Sequence, residues 1–170
     1  PAVVAPYSIQ DRRMTFAVLP FQAPADDKGA TQVAAAMTEA VSAVEEGKVL
    51  WAQVASRRRV EQALAQHTAA KDVGTALDVH FLIRGNVTPA LSGYNVELLV
   101  VDSATERVIG TKSVTVSAGA PTPRRREDLE GAPGLLTYRS LQAEVQRARS
   151  QPVEPLDVRD LSFRAYVDLG

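Results

Sequence analysis

Cysteine is absent from the 170 residues, which excludes disulfides, zinc–thiolate sites and thiol catalysis. Aromatic side chains make up only 5% while apolar residues reach 45%, so the interior is built from aliphatic groups rather than rings. An excess of either charge is lacking too: 19 basic side chains face 20 acidic ones, for a net charge of −1. That balance supplies no field to hold a nucleic-acid backbone or an anionic membrane, so neither partner is expected. No run approaches the roughly 20 apolar residues of a membrane span, and no signal-peptide pattern opens the chain. The sequence begins at Pro1 rather than Met and reads as a piece of a longer protein, with any anchor or targeting segment outside it. His67 and His80 are the only histidines. Neither has a second nitrogen or thiolate at ligand spacing, so no metal and no cofactor is expected.

What is present suits one core with an appendage. Residues 1–13 read as a tail. The run from Thr15 to Phe21 is continuously apolar, as in a strand buried on both faces, and Pro20 ends its pairing. After a turn at Pro24, Asp26, Asp27 and Gly29, apolar residues recur from Val33 to Val44 at helical spacing until Gly47. Residues 48–55, with Val49, Leu50, Trp51 and Val54, suit a second strand parallel to the first. Ser56 is placed to cap a second helix through its hydroxyl, burying Val60, Ala63 and Leu64. A third helix over 70–78 buries Val73, Ala76 and Leu77. Strands follow: Phe81, Ile83 and Val87 share a face, a turn spans 88–93, Tyr94 to Val101 alternate, and residues 108–116 close the set. The fold class is α/β (α+β), a mixed sheet of about five strands in the order β-α-β-α-α-β-β-β with helices packed on it. This domain covers 14–117. A loop with Arg124, Arg125 and Arg126 spans 118–134, and a helical extension spans 135–170.

Four stretches, Ala17–Phe21, Met37–Val41, Asp72–Val87 and Val96–Thr105, together resemble the TolB amino-terminal-like domain of bacterial membrane-bound regulators and cyclases that continue into tetratricopeptide repeats. The resemblance implies a mixed sheet with packed helices, while a non-enzymatic role is expected from the residues themselves and a protein partner from exposed edges and apolar patches. The resemblance also implies an extracytoplasmic, periplasmic setting in a membrane-tethered signalling protein, with 135–170 as the lead into helical repeats. Two departures stand out. Asp78 occupies a position where the family often has glycine, and can take a left-handed C-cap conformation there less readily than glycine does. The loop from Phe21 to Gly29 lacks the family's asparagine and serine.

No grouping for catalysis is found. Asp26 and Asp27 precede the first helix, where negative charge is favoured by the dipole. Asp102 and Glu106 flank a hairpin turn and fit turn chemistry. Asp27-Lys28-Gly29-Ala30 lacks the glycine pattern of a phosphate loop, and no Gly-x-Ser-x-Gly elbow occurs. Arg57, Arg58 and Arg59 open a helix, an unfavourable place for positive charge, and they are candidate contacts for a partner. Three functions are weighed. The first is a protein-interaction or sensing module, met by a partner or a second copy at an edge strand or the helix-free sheet face. The second is a small-ligand receptor with its pocket at the ends of the first two strands, near Phe21, Gln22 and Ala55 to Arg57. The third is a structural subunit of an envelope assembly similar to curli- or flagellum-associated lipoproteins.

Overall fold

A computed structural model describes residues 14–46 and 52–117, together with Ser140, Gln142, Ala143 and Gln146. The first strand, β1 (Met14–Val18), is apolar at nearly every position and is followed by α1 (Lys28–Glu46) and β2 (Ala52–Val54). Then come α2 (Arg57–Gln66), α3 (Ala70–Leu77), β3 (Phe81–Ala90), β4 (Gly93–Asp102) and β5 (Val108–Ser117). One mixed sheet results, in the order β2-β1-β3-β4-β5. β1 is parallel to both its neighbours, and β3, β4 and β5 form an antiparallel meander.

From β1 the chain crosses to one side through α1, and from β2 it crosses back past β1 through α2 and α3. Right-handed crossovers in opposite directions place their helices on opposite faces of a sheet. The two cores show this. On one face Ala30, Val33, Ala34, Met37 and Val41 of α1 pack on Phe16, Phe81, Ile83, Val96, Leu98 and Val100. On the other, Val60, Ala63, Val73 and Leu77 pack on Ala17, Leu82 and Val101. Among the described residues, the helix cover on that second face stops at the near half of β3. Beyond it the face is mostly polar, with Arg84, Asn86, Asn95, Glu97, Thr111, Ser113 and Thr115 around the half-buried Leu99, none of them buried.

Several expectations change in detail. β1 ends at Val18 rather than Phe21, because Pro20 has no N–H to continue a regular ladder. Pairing with β3 nevertheless resumes around it: Leu19 N–H donates to Ile83 O at 2.9 Å, and Gln22 N–H to Gly85 O at 2.8 Å. The turn expected over 88–93 shrinks to Leu91 and Ser92, with Pro89 opposite Tyr94 inside the hairpin. Val87 N–H points to Gln22 O on the β1 side. By alternation the nitrogen of Pro89 points the same way, past the end of β1, where no ladder bond is lost. Ser56 does precede α2, but its hydroxyl makes no cap; its carbonyl accepts from Val60 N–H at 3.1 Å instead. Asp78 adopts φ 56° and ψ 51° after α3, so an aspartate performs the left-handed stop that glycine usually provides.

Gly47 and residues 48–51 lie outside the described residues, as do the loop 118–134 with its arginine run and nearly all of 135–170. Within that last region Ser140 is buried and Ala143 packs against the α1-side core.

A cleft at the strand ends as the candidate functional site

The reversal of direction at β1 opens a crevice beyond the carboxyl ends of β1 and β2, because the helices leaving these strands diverge to opposite faces. Its first wall is the loop after β1. Phe21 lies flat over Gly85 of β3, where a Cβ would come within 2.1 Å of the ring; glycine is required here for close approach, not for its dihedrals. The loop is tied to α1 by Thr38, whose Oγ1 accepts from Phe21 N–H at 2.9 Å and donates to Ala34 O at 2.8 Å. The second wall is a stripe of α1 at three and four spacing, Thr31, Ala34, Ala35, Thr38, Ser42 and Ala43. The third is the β2–α2 junction with Ala55, Arg57, Val60 and Glu61. Small side chains on α1 leave the space between the walls unfilled, and the cleft measures about 830 Å³. Its floor is apolar, from Val18, Pro20, Phe21, Ala34 and Val60.

Its mouth is charged. Arg57 spans it, with Nη1 3.3 Å from Glu39 Oε1 on α1 and Nε 3.0 Å from Glu61 Oε1 on α2. The bond and charge of Glu61, and more weakly those of Glu39, raise the pKa of the guanidinium above its ordinary value. All three side chains are more than half exposed, at 75%, 72% and 58%.

The chain is similar to TolB. The solved TolB from Acinetobacter baumannii shares 16% identity at a TM-score of 0.47, with 78% of this chain and 29% of that one covered. The LpoB C-terminal domain from Escherichia coli shares 13% at 0.48, covering 61% and 82%. A lipoprotein from Neisseria meningitidis shares 11% at 0.47, covering 74% and 96%. The present chain therefore spans less than a third of the length of TolB. No family model and no curated protein matches it.

Of the residues singled out in the sequence, Phe21, Gln22 and Arg57 line the cleft, whereas Arg58 and Arg59 do not. Arg58 is exposed. Arg59 turns to α3, donating from Nη2 to Leu77 O at 2.8 Å, which satisfies a carbonyl at the end of that helix. Asp27 caps α1 as expected, its Oδ1 accepting from Ala30 N–H at 2.9 Å and from the Tyr94 hydroxyl at 3.3 Å. Partial burial, and then the Asp27 charge, raise the phenol pKa of Tyr94 above its usual 10.0. Asp102 accepts from Thr105 N–H at 2.9 Å within its turn. Glu106 does more than turn chemistry: with φ at 57° it reaches Lys71 N–H in the first turn of α3, 3.2 Å away. His80 N–H donates to Thr15 Oγ1 at 3.0 Å, and its ring meets Phe81 edge-on. Among the described residues no group of three or more His, Asp or Glu gathers as metal ligands would, and no helix is long and apolar enough to cross a membrane.

Thr38, Glu39, Glu61 and Gly85 were not singled out for the site. Glu61 was findable, being four residues after Arg57 on one helix face. Glu39 and Gly85 meet the site only through the crossover of α1 and the pairing of β3.

Proposed function

We propose that this chain is a non-enzymatic sensing module, in which the cleft between α1 and α2 binds a small ligand. The output belongs to other parts of a longer, membrane-tethered bacterial protein working outside the cytoplasm. The observation that carries the binding role is the cleft itself. Its volume of about 830 Å³ lies within the roughly 300–1,000 Å³ of small-molecule sites, and it combines an apolar floor with a few polar groups. It also lies at the reversal point where open α/β sheets bind ligands. The ionisable side chains that line it among the described residues, Glu39, Arg57 and Glu61, are exposed and paired with one another. Their exposure denies them the desolvated setting that a reacting acid, base or nucleophile needs. The signalling and envelope setting rests on the sequence resemblance.

The test is a thermal-shift screen of nucleotides, sugars, amines and peptides on the native protein and on Ala35→Phe. Ala35 is an exposed lining residue, so the ring fills the cleft without entering the core. A saturable stabilisation that Ala35→Phe removes supports the reading. Ligands that stabilise both proteins equally, or none at all, would sink it.

A second reading, docking of a protein partner, is favoured by the helix-free part of the sheet. β5 stands at the end of the sheet, and its odd-numbered residues, Thr111, Ser113 and Thr115, direct their backbone groups away from β4 by the alternation set at Val87. Such an edge accepts an added strand. Ser113→Pro, which removes one outward N–H, abolishes partner binding if that edge is used and leaves it unchanged otherwise.

A further inference from the structure

The cleft already holds a cation at its mouth, and that cation is its own. Glu39 comes from α1 and Glu61 from α2, so carboxylates from two different walls converge on the single guanidinium of Arg57. Among the described residues these are the ionisable side chains lining the cleft, and their two negative charges against one positive make the group net negative. Directly beneath lies an apolar floor that includes Val18, Phe21 and Val60.

On the reading of this cleft as a ligand site, we propose that its ligand is a small monocationic amphiphile. Its apolar body would rest on that floor, and its ammonium or guanidinium group would replace Arg57 between Glu39 and Glu61. The exchange is chemically even. Each carboxylate keeps a cationic partner, and Arg57, whose side chain is already 75% exposed, swings into water. Its departure is eased by its place at the start of α2, where the dipole disfavours positive charge. An anion faces the opposite balance, since it must break both carboxylate contacts of Arg57 and then sit beside two negative charges. Arg57 is therefore a resident competitor for the site, not its recognition group.

Three compounds with one body and different heads test this: 4-phenylbutylammonium, 4-phenylbutanol and 4-phenylbutyrate, titrated into the intact protein and followed by backbone amide NMR shifts at Phe21, Ala34, Thr38 and Val60. The ammonium is expected to bind about twofold more tightly than the alcohol, less than the scale of a whole exposed ion pair because it displaces Arg57 and gains only the relief of a cation from the start of α2, and the carboxylate is expected to bind most weakly. Arg57→Ala removes the competitor and tightens the ammonium severalfold, while Glu39→Gln combined with Glu61→Gln brings ammonium and alcohol to parity. Equal binding of ammonium and alcohol to the native protein overturns the proposed class but leaves the cleft as a site. Preferential binding of the carboxylate, lost in Arg57→Ala, overturns it in favour of an anion site. If no compound shifts the cleft amides in native protein or in Arg57→Ala, the cleft reading fails as well.

Discussion

Replacing Gly85 by alanine tests the joint on which the cleft wall rests. An added Cβ would lie 2.1 Å from Phe21 Cδ2 and 2.4 Å from Cε2 and Cγ. Carbon atoms rest at about 3.5–4.0 Å, so the ring has to retreat by more than ~1 Å from a site where it is only 7% exposed. Overpacking of this kind costs about 1–3 kcal/mol. Against it stands a gain of about 0.4–1 kcal/mol from the stiffer unfolded chain, since Gly85 has no left-handed φ to forbid alanine. The expected net loss is about 0–2.6 kcal/mol, centred on about 1.3 kcal/mol, which for a chain of 170 residues lowers Tm by roughly 3–5 °C. The assay is urea denaturation of native protein, Gly85→Ala, Phe21→Ala and the double variant. With the ring gone, Gly85→Ala should stabilise slightly, giving a coupling of about 1–3 kcal/mol between the two positions. An equal effect of Gly85→Ala in both backgrounds would refute the claim that ring and bare backbone are in contact.

Asp27→Ala removes the α1 cap and should cost about 1 kcal/mol in urea denaturation; an effect under a few tenths would mean that the Ala30 N–H is satisfied otherwise. Thr38→Val leaves Phe21 N–H without its acceptor, and the expected loss is about 1–3 kcal/mol, together with faster hydrogen exchange at that amide. Tyr94 gives a pH signature. Because folding raises its phenol pKa above 10.0, the unfolded chain releases that proton first, so stability present below pH 10 declines as the pH rises past 10 toward the folded value. Tyr94→Phe should flatten that alkaline decline, and an unchanged slope between native protein and variant would contradict the assigned contact.

The fold was legible wherever its cause is periodic and local. The stripe from Val33 to Val41 places α1 because helical spacing and burial coincide there, and Tyr94, Val96, Leu98 and Val100 show their shared face by simple alternation. Asp78 was legible because a chain stopping a helix without glycine leaves few other residues to turn left-handed. Boundaries were harder. Pro89 looks like a strand breaker until the edge it faces is known to be free of a partner, and that depends on where β1 ends. The candidate site was legible at Phe21, Gln22 and Arg57, which follow the strand ends directly. What escaped are contacts closed by topology: Thr38 to Phe21 across 17 residues, Arg57 to Glu39 across 18, and Glu106 to Lys71 across 35. No local pattern marks such pairs, because each partner has an ordinary surface role until the crossover brings them together.

The position of β1 has a further consequence for how the protein is made. β1 is flanked by β2 and β3, both of which are translated after it. Its far side closes only with the segment around His80, 65 residues behind Thr15, a delay of about 3–13 s at synthesis rates of 5–20 residues per second. Until β2 is made Phe16, Ala17 and Val18 have no strand beside them, and until β3 follows they are paired on one side at most. The nascent chain thus has its most vulnerable period before Phe81 appears, and chaperone dependence should centre on that window rather than on the finished domain.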